Sequence, residues 1–242
     1  MVDNGFMFGD QATWDYPICK VEKFPEIPTP KKRFETYVIP GRSGVLHSFE
    51  GAFEPIEKKY ACYLHADHYV AETVLDIKSW LLAQDGPQRL IDPYDQEHFF
   101  RATVDTEIPF ETWMNQYARF TVQFSCDPRA FRRTGEEPIE MTHPYPVWNP
   151  CAYPAQPLIT IFGTSPGTLD ISGQQIQIKS LDGDMIIDCE DMEAYRLAAG
   201  TVIGCNNKIS APEFPVLRPG VNQISWSGGI QRVVIIPRWF DI

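Results

Sequence analysis

The segment His68–Gln84, HYVAETVLDIKSWLLAQ, decides the fold class, because it is the one stretch that reads as a helix. Val70, Val74, Ile77 and Leu81 recur at i, i+4, i+7 and i+11, and Ala71, Leu75 and Leu82 widen the apolar stripe. Asp67 stands where an N-cap belongs, and Asp85-Gly86-Pro87 supplies a glycine stop followed by a residue that cannot continue a helix. Everything around this segment alternates with period two. Upstream, Phe34–Ile39 and Val45–Phe49 flank the turn Pro40-Gly41-Arg42-Ser43-Gly44, and Lys59–Leu64 reads as a further strand. Downstream, Gln88–Ile91 and Glu97–Val104 frame the turn Asp92-Pro93-Tyr94-Asp95, and Arg119–Cys126 places Phe120, Val122 and Phe124 on one face. The pattern predicts an α+β domain, one helix laid on antiparallel strands, behind a loop-rich, proline-containing arm over residues 1–35.

Past residue 157 no helical period exists. Leu158–Phe162, Leu169 with Ile171, Ile176 with Ile178, Met185–Cys189, Ile224 with Trp226, and Ile230–Ile236 are short apolar or alternating runs. They are separated by the turn signals Ser165-Pro166-Gly167, Ser172-Gly173, Asp182-Gly183-Asp184, Pro219-Gly220 and Ser227-Gly228-Gly229. Strands at that spacing predict an all-β sandwich. Between the two patterns, residues 142–157 carry five prolines in sixteen positions and read as a linker. The expected division is therefore 1–141 for the first domain, 142–157 for the linker and 158–242 for the sandwich.

Composition narrows the function. The 242 residues carry 21 Lys and Arg against 32 Asp and Glu, a net charge of −11, which disfavours gripping a polyanion. Aromatics at 13% and 21 prolines argue for folded structure rather than disorder. No apolar run approaches the length of a membrane helix, and no basic region leads into an apolar stretch, so neither a membrane span nor a signal peptide is expected. Cys19, Cys62, Cys126, Cys151, Cys189 and Cys205 contain no C-x-x-C pair, and the expectation is six reduced, buried thiols.

Each candidate for chemistry has a plainer reading. His65, Asp67 and His68 offer metal-ligating groups, but they sit at a strand-to-helix junction with no partner cluster elsewhere, and a structural role is favoured. Asp182, Asp184, Asp188, Glu190, Asp191 and Glu193 form an acidic run that suggests calcium yet lacks the offsets of an EF-hand loop; a solvated patch is favoured. Trp14, Trp80, Trp113, Trp148, Trp226 and Trp239 could stack sugars, but Trp226 and Trp239 read as core. Phosphate-binding glycine loops and the nucleophile elbow are missing, and the second domain has no histidine for a triad. No catalytic, cofactor or metal residue is assigned. Lys31, Lys32, Arg33, Arg132 and Arg133 are the clusters from which a basic inner surface could be built, and they read as subunit or partner contacts.

Several stretches, taken in order, resemble the distal tail protein (Dit) family of long-tailed bacteriophages and prophages. They are FGD at 8–10, VIPGRSG at 38–44, the Trp80-Leu81 pair, LIDPYD at 90–95 and FSCDP at 124–128. In the second domain they continue with NPCAYPAQPLITIFG at 149–163, IIDCE at 186–190, NNKIS at 206–210, FPVLRPG at 214–220 and IIPRW at 235–239. The resemblance spans almost the whole chain. It implies a non-enzymatic virion structural protein, with a ring-forming N-terminal belt domain that assembles as a homohexamer and a galectin-like, jelly-roll sandwich behind it. The implied partners are other copies of the chain, the tail tube protein, the tape measure and tail-associated lysin or fibre proteins, and a receptor-binding protein. DNA would pass through the ring unbound, at the distal end of the tail. From the residues alone, a carbohydrate-binding module fused to an α+β domain is the competing reading, and a secreted-type hydrolase is the third.

Overall fold

A computed structural model describes residues 5–16, 19–67, 69–198 and 200–242. The chain divides into two compact units: residues 1–130 with Ile242, and Phe131–Asp241.

In the first unit, β1 (Met7–Phe8), β2 (Gln11–Ala12) and β3 (Cys19–Val21) precede the hairpin of β4 (Lys32–Tyr37) and β5 (Leu46–Phe53). There follow β6 (Ile56–His65), α1 (Val70–Leu82), β7 (Gln88–Ile91), β8 (His98–Thr103), β9 (Phe110–Trp113) and β10 (Tyr117–Cys126). The main sheet is antiparallel, ordered β2-β1-β7-β8-β10-β6-β3, with β9 also on β10. Its spine is the ten-residue register between β10 and β6, from Tyr117 opposite His65 to Cys126 opposite Ile56. Alternation along both strands buries Tyr60, Cys62, Leu64, Phe120, Val122 and Phe124, and Val70, Val74, Ile77, Trp80 and Leu81 of α1 join them in one core. Trp80 anchors the helix: its ring stacks on Phe6 and Tyr16, and its Nε1 donates to the Phe8 carbonyl at 2.9 Å.

The helix is shorter than its sequence pattern. It starts at Val70, the N-cap position is Tyr69 with no side-chain cap, and Asp67 does not cap it; His68 lies outside the described residues. Ala71, Leu75 and Leu82, expected to widen the buried stripe, face solvent, because the sheet covers only the Val70–Val74–Ile77–Leu81 side. The arm expected to be loop also changes: Phe6, Phe8, Cys19 and Val21 are core residues, and the three short strands around them extend the sheet at its edges.

The second unit contains β11 (Ala130–Arg132), β12 (Ile139–Met141), β13 (Tyr145–Asn149), β14 (Leu158–Ile171), β15 (Gln174–Ile178) and β16 (Gly183–Asp188). It continues with β17 (Glu193–Ala198), β18 (Thr201–Gly204), β19 (Ile209–Ser210), β20 (Gly220–Ile236) and β21 (Phe240–Asp241). The fourteen-residue β14 and the seventeen-residue β20 pair along nearly their whole length. One end of this pair carries β12 and the β16-β17-β18 series; the other carries β13 and β15, with β19 outside β15. Inward residues from both ends, among them Ile159, Ile161, Leu169, Ile171, Ile187, Ile224, Val233 and Ile235, form a single core. This is a β-sandwich whose two layers share the same two long strands.

Two expectations fail here. Ser165-Pro166-Gly167 and Ser227-Gly228-Gly229 are not turns between strands; both lie inside β14 and β20, where the register shifts between Phe162 and Gly167. The glycines permit a close backbone approach at the bend: a Cβ on Gly163 would lie 2.3 Å from the Gly229 carbonyl oxygen, and one on Gly167 2.4 Å from that of Ser227. The proline-rich stretch is not a linker. It belongs to the second unit, which begins at Phe131, and β13 runs through it. Pro146 is tolerated because, among the described residues, β13 pairs with β20 alone. Buried Asn149 then fixes the following loop, donating to the carbonyls of Tyr153 and Leu217 at 2.9 and 2.8 Å and accepting from the Cys151 N–H.

Gly163→Ala is expected to destabilise the second unit by about 3 kcal/mol, since the added methyl meets the Gly229 backbone as well as the Leu181 side chain. The urea midpoint checks it; an unchanged midpoint would show that the two strands can separate at the bend without loss.

Candidate assembly surface

The β4–β5 hairpin stands apart. Among the described residues it forms a two-stranded sheet of its own, and every residue of β4 is exposed. The register sets Phe34 opposite Phe49 and Thr36 opposite His47 on one face, and Glu35 opposite Ser48 and Tyr37 opposite Leu46 on the other. The first face is an aromatic ladder: Phe53, Phe49, Phe34 and His47 follow one another at ring separations of 5.8 Å, with Lys32 Nζ 5.4 Å from the Phe49 centroid. The second carries Tyr37 and Leu46, and the tip adds Val38, 76% exposed, with Ile39 and Val45. Large apolar side chains thus stand exposed on both faces, although burial of such side chains is worth about 1.5–3 kcal/mol each. Lys31, Lys32 and Arg33 give the hairpin base a positive edge, loosely balanced by Glu50 at 4.0 Å from Arg33.

The outer face of the main sheet presents a second aromatic group. Trp113 stacks on Tyr117 with rings 13° from parallel, Tyr117 packs on His65, and Arg119 lies over Trp113 while pairing with Glu22 at 2.7 Å. Trp113, Tyr117, Arg119 and Glu22, together with Tyr63 and Leu64, line a depression of about 360 Å³. The β9–β10 turn beside it places Met114 and Asn115 at φ 54° and leaves Met114 exposed.

The sequence candidates are distributed as follows. Among the described residues no three His, Cys, Asp or Glu side chains converge as a metal group; His65 is occupied by its ring contact, and His68 falls outside those residues. The acidic run is not a uniform solvated patch. Asp188 is buried and accepts two bonds from Arg238, at 2.7 and 2.8 Å, with Glu190 3.4 Å from the same guanidinium. Sequence reading missed this because Arg238 lies fifty residues away from Asp188. Burial alone would raise the Asp188 carboxyl; the Arg238 hydrogen bonds and charge together outweigh it and leave it below the usual carboxylate range. All six cysteines are free and buried. Burial pushes Cys19, Cys126 and Cys189 up to about 12, far from the thiolate form at neutral pH. Trp80 and Trp239 are core, Trp226 packs against the core, and Trp14, Trp113 and Trp148 are exposed. Lys31, Lys32 and Arg33 belong to the exposed hairpin, whereas Arg132 in the second unit is committed to Asp241 at 2.7 Å.

No family model and no curated protein matches the chain. Solved structures do. The fold is that of phage hub and baseplate components, in both units and nearly end to end. The SPP1 Dit (gp 19.1) protein, described as a paradigm of the hub adsorption apparatus in Gram-positive infecting phages, aligns with TM-score 0.69 over 96% of this chain and 97% of its own, at 13% identity. The phage P2 baseplate in its activated conformation aligns with TM-score 0.57 in the calcium form and 0.54 in the strontium form, at 8% and 6% identity, covering 97% and 95% of this chain and 97% of each matched chain. The sequence resemblance to distal tail proteins and the likeness of fold therefore agree.

A carboxylate held below its ordinary pKa stabilises above that range and loses its contribution as pH falls through the folded value. Asp188→Asn should accordingly cost about 2 kcal/mol at pH 7, a difference that shrinks as pH falls below the ordinary carboxylate range, as read from urea midpoints measured down the acid limb. A constant difference at all pH values would assign the loss to packing. For the thiols, titration without reductant should find six in denaturant and almost none within minutes in the native protein; recovery of two or four in denaturant would mean disulfides.

Proposed function

We propose that this chain is a structural hub protein of a phage tail tip. Its first unit closes into a homohexameric ring at the distal end of the tail. The ring joins the tail tube to the tape measure, lysin or fibre and receptor-binding proteins, and leaves a lumen for DNA. The second unit, a sandwich of the galectin-like kind, lies on the ring's periphery. No catalytic step enters this role.

The β4–β5 hairpin carries the reading. An isolated two-stranded ribbon is at best marginally stable in water, and this one displays aromatic and aliphatic side chains on both faces. Such a ribbon calls for an apolar partner surface. In a ring, the partner is the next copy, and its positive base meets a subunit of net charge −11. The likeness to the SPP1 hub protein over both units supports the same assignment.

Negative-stain images and light scattering of the purified protein should give closed rings of six subunits. Phe34→Ser with Phe49→Ser should abolish them, while the urea midpoint moves by less than about 1 kcal/mol, because neither ring belongs to a core. Rings that survive the double substitution would remove the hairpin from the interface. Monomers within assembled tails would end the reading. A lumen that passes DNA should not hold it, so duplex DNA should migrate unretarded at physiological salt; tight, salt-sensitive retardation would contradict the role.

One observation favours a carbohydrate-binding second unit. Trp148, 63% exposed, lies opposite Val221, on a sheet face continued by Gln223, Ser225, Asp170 and Gln175. Stacking beside neutral amides suits a sugar. Micromolar glycan-array binding lost in Trp148→Ala would support it, and a blank array would remove it.

A further inference from the structure

The core of the first unit holds an ionic pair that the tail-hub reading does not use. Lys58 stands on the buried face of β6, where alternation calls for an apolar side chain, and is 2% exposed; Asp92, directly after β7, is 3% exposed. Lys58 Nζ contacts Asp92 Oδ2, and the Tyr60 hydroxyl donates to Asp92 Oδ1. The Tyr94 hydroxyl is 3.4 Å from Nζ, and the Phe100 ring lies 3.9 Å away, centroid to nitrogen. Amine and carboxyl are therefore held against each other inside an aromatic box. In sheet order β6 and β7 are separated by β10 and β8, so this contact links strands that no backbone ladder joins.

We propose that Lys58 and Asp92 form an intramolecular isopeptide bond between Nζ and Cγ, with loss of one water. One proton passes from Nζ to Oδ2, so that a neutral amine faces a carboxylic acid. Nζ then adds to Cγ, and the negative charge that develops on Oδ1 is met by the Tyr60 hydroxyl. A second amine proton moves to Oδ2, the Cγ–Oδ2 bond breaks, and Oδ2 leaves as water with both protons. The amide nitrogen keeps the third hydrogen. No oxidant, metal or cofactor is required.

Three features of the site drive the step. Fixed contact between the reacting groups replaces a bimolecular encounter, an advantage on the order of 10⁵ M or more in effective concentration. A buried ion pair carries a desolvation cost for each ion, which a neutral amide relieves. The donors are in place beforehand: burial first, and Asp92 second, push the Tyr60 and Tyr94 hydroxyls well above their ordinary range, so both stay protonated.

The intact mass of the purified wild-type chain, measured in denaturant with reductant, tests this directly. The expected value is one water below the sequence mass. After proteolysis the peptides carrying Lys58 and Asp92 should appear as one branched species, with fragment ions placing the amide between these two residues. Lys58→Arg, which keeps the charge but cannot form this bond, should return the full sequence mass. The full mass in the wild-type chain overturns the proposal without reference to any variant. So does a water loss that maps elsewhere, such as a succinimide at Asp85-Gly86 or Asp182-Gly183.

Discussion

The second unit depends on one constraint: β14 and β20 must stay paired while passing through a shared bend. Each is too long to lie in a single layer, and each supplies inward side chains to both halves of the same core. The bend is possible only where two backbones come closer than any Cβ would allow, at Gly163, Gly167, Gly228 and Gly229. Moving those glycines by one position would turn core residues such as Leu169 and Val233 outward, because a one-residue slip exchanges the faces of a strand. The β16-β17-β18 series and the β13 and β15 edges are laid onto this pair and inherit its register.

The first unit answers a different demand. Its β6–β10 spine and single helix close a conventional one-sided core, and Trp80 fastens the helix to the N-terminal strands. What distinguishes the unit is what it leaves outside. The Phe49–Phe34 pair and the Tyr37–Leu46 pair would be core residues in most hairpins, and here all four stay exposed. The charge pattern fits the same division, since the basic run 31–33 sits at the base of the ribbon in an otherwise acidic chain.

Period and turn chemistry made much of this legible. The Gln88–Ile91 and His98–Thr103 hairpin, the β6 and β10 strands and the all-β second half follow from alternation, and the helix from its 3.6 period, because those signals run along each element itself. The errors share a cause: a local signal was overruled by a partner distant in sequence. Pro146 reads as a linker residue until β20 is seen to pair with one side of its strand only. Gly167 and Gly228 read as turns because the sequence does not show that they face one another. Asp188 reads as solvated until Arg238 arrives from the other end of the chain. The assembly hairpin carried the subtler signal: apolar residues on both faces of two short strands, which in a lone sequence means burial without saying in what.

A ribbon without a core of its own has a consequence for timing. The free subunit gains little from holding β4 and β5 in one geometry, so a binding event must also supply the free energy of ordering them. Affinity per unit of contact area is lowered accordingly, so on the proposed reading a lone pair of copies is held less firmly than a closed ring. The balance changes when several copies are gathered on a template, where effective concentration replaces bulk concentration. On the proposed reading the ring itself is that template: a subunit held by one neighbour meets the next at effective concentration, so partial rings give way steeply to closed ones.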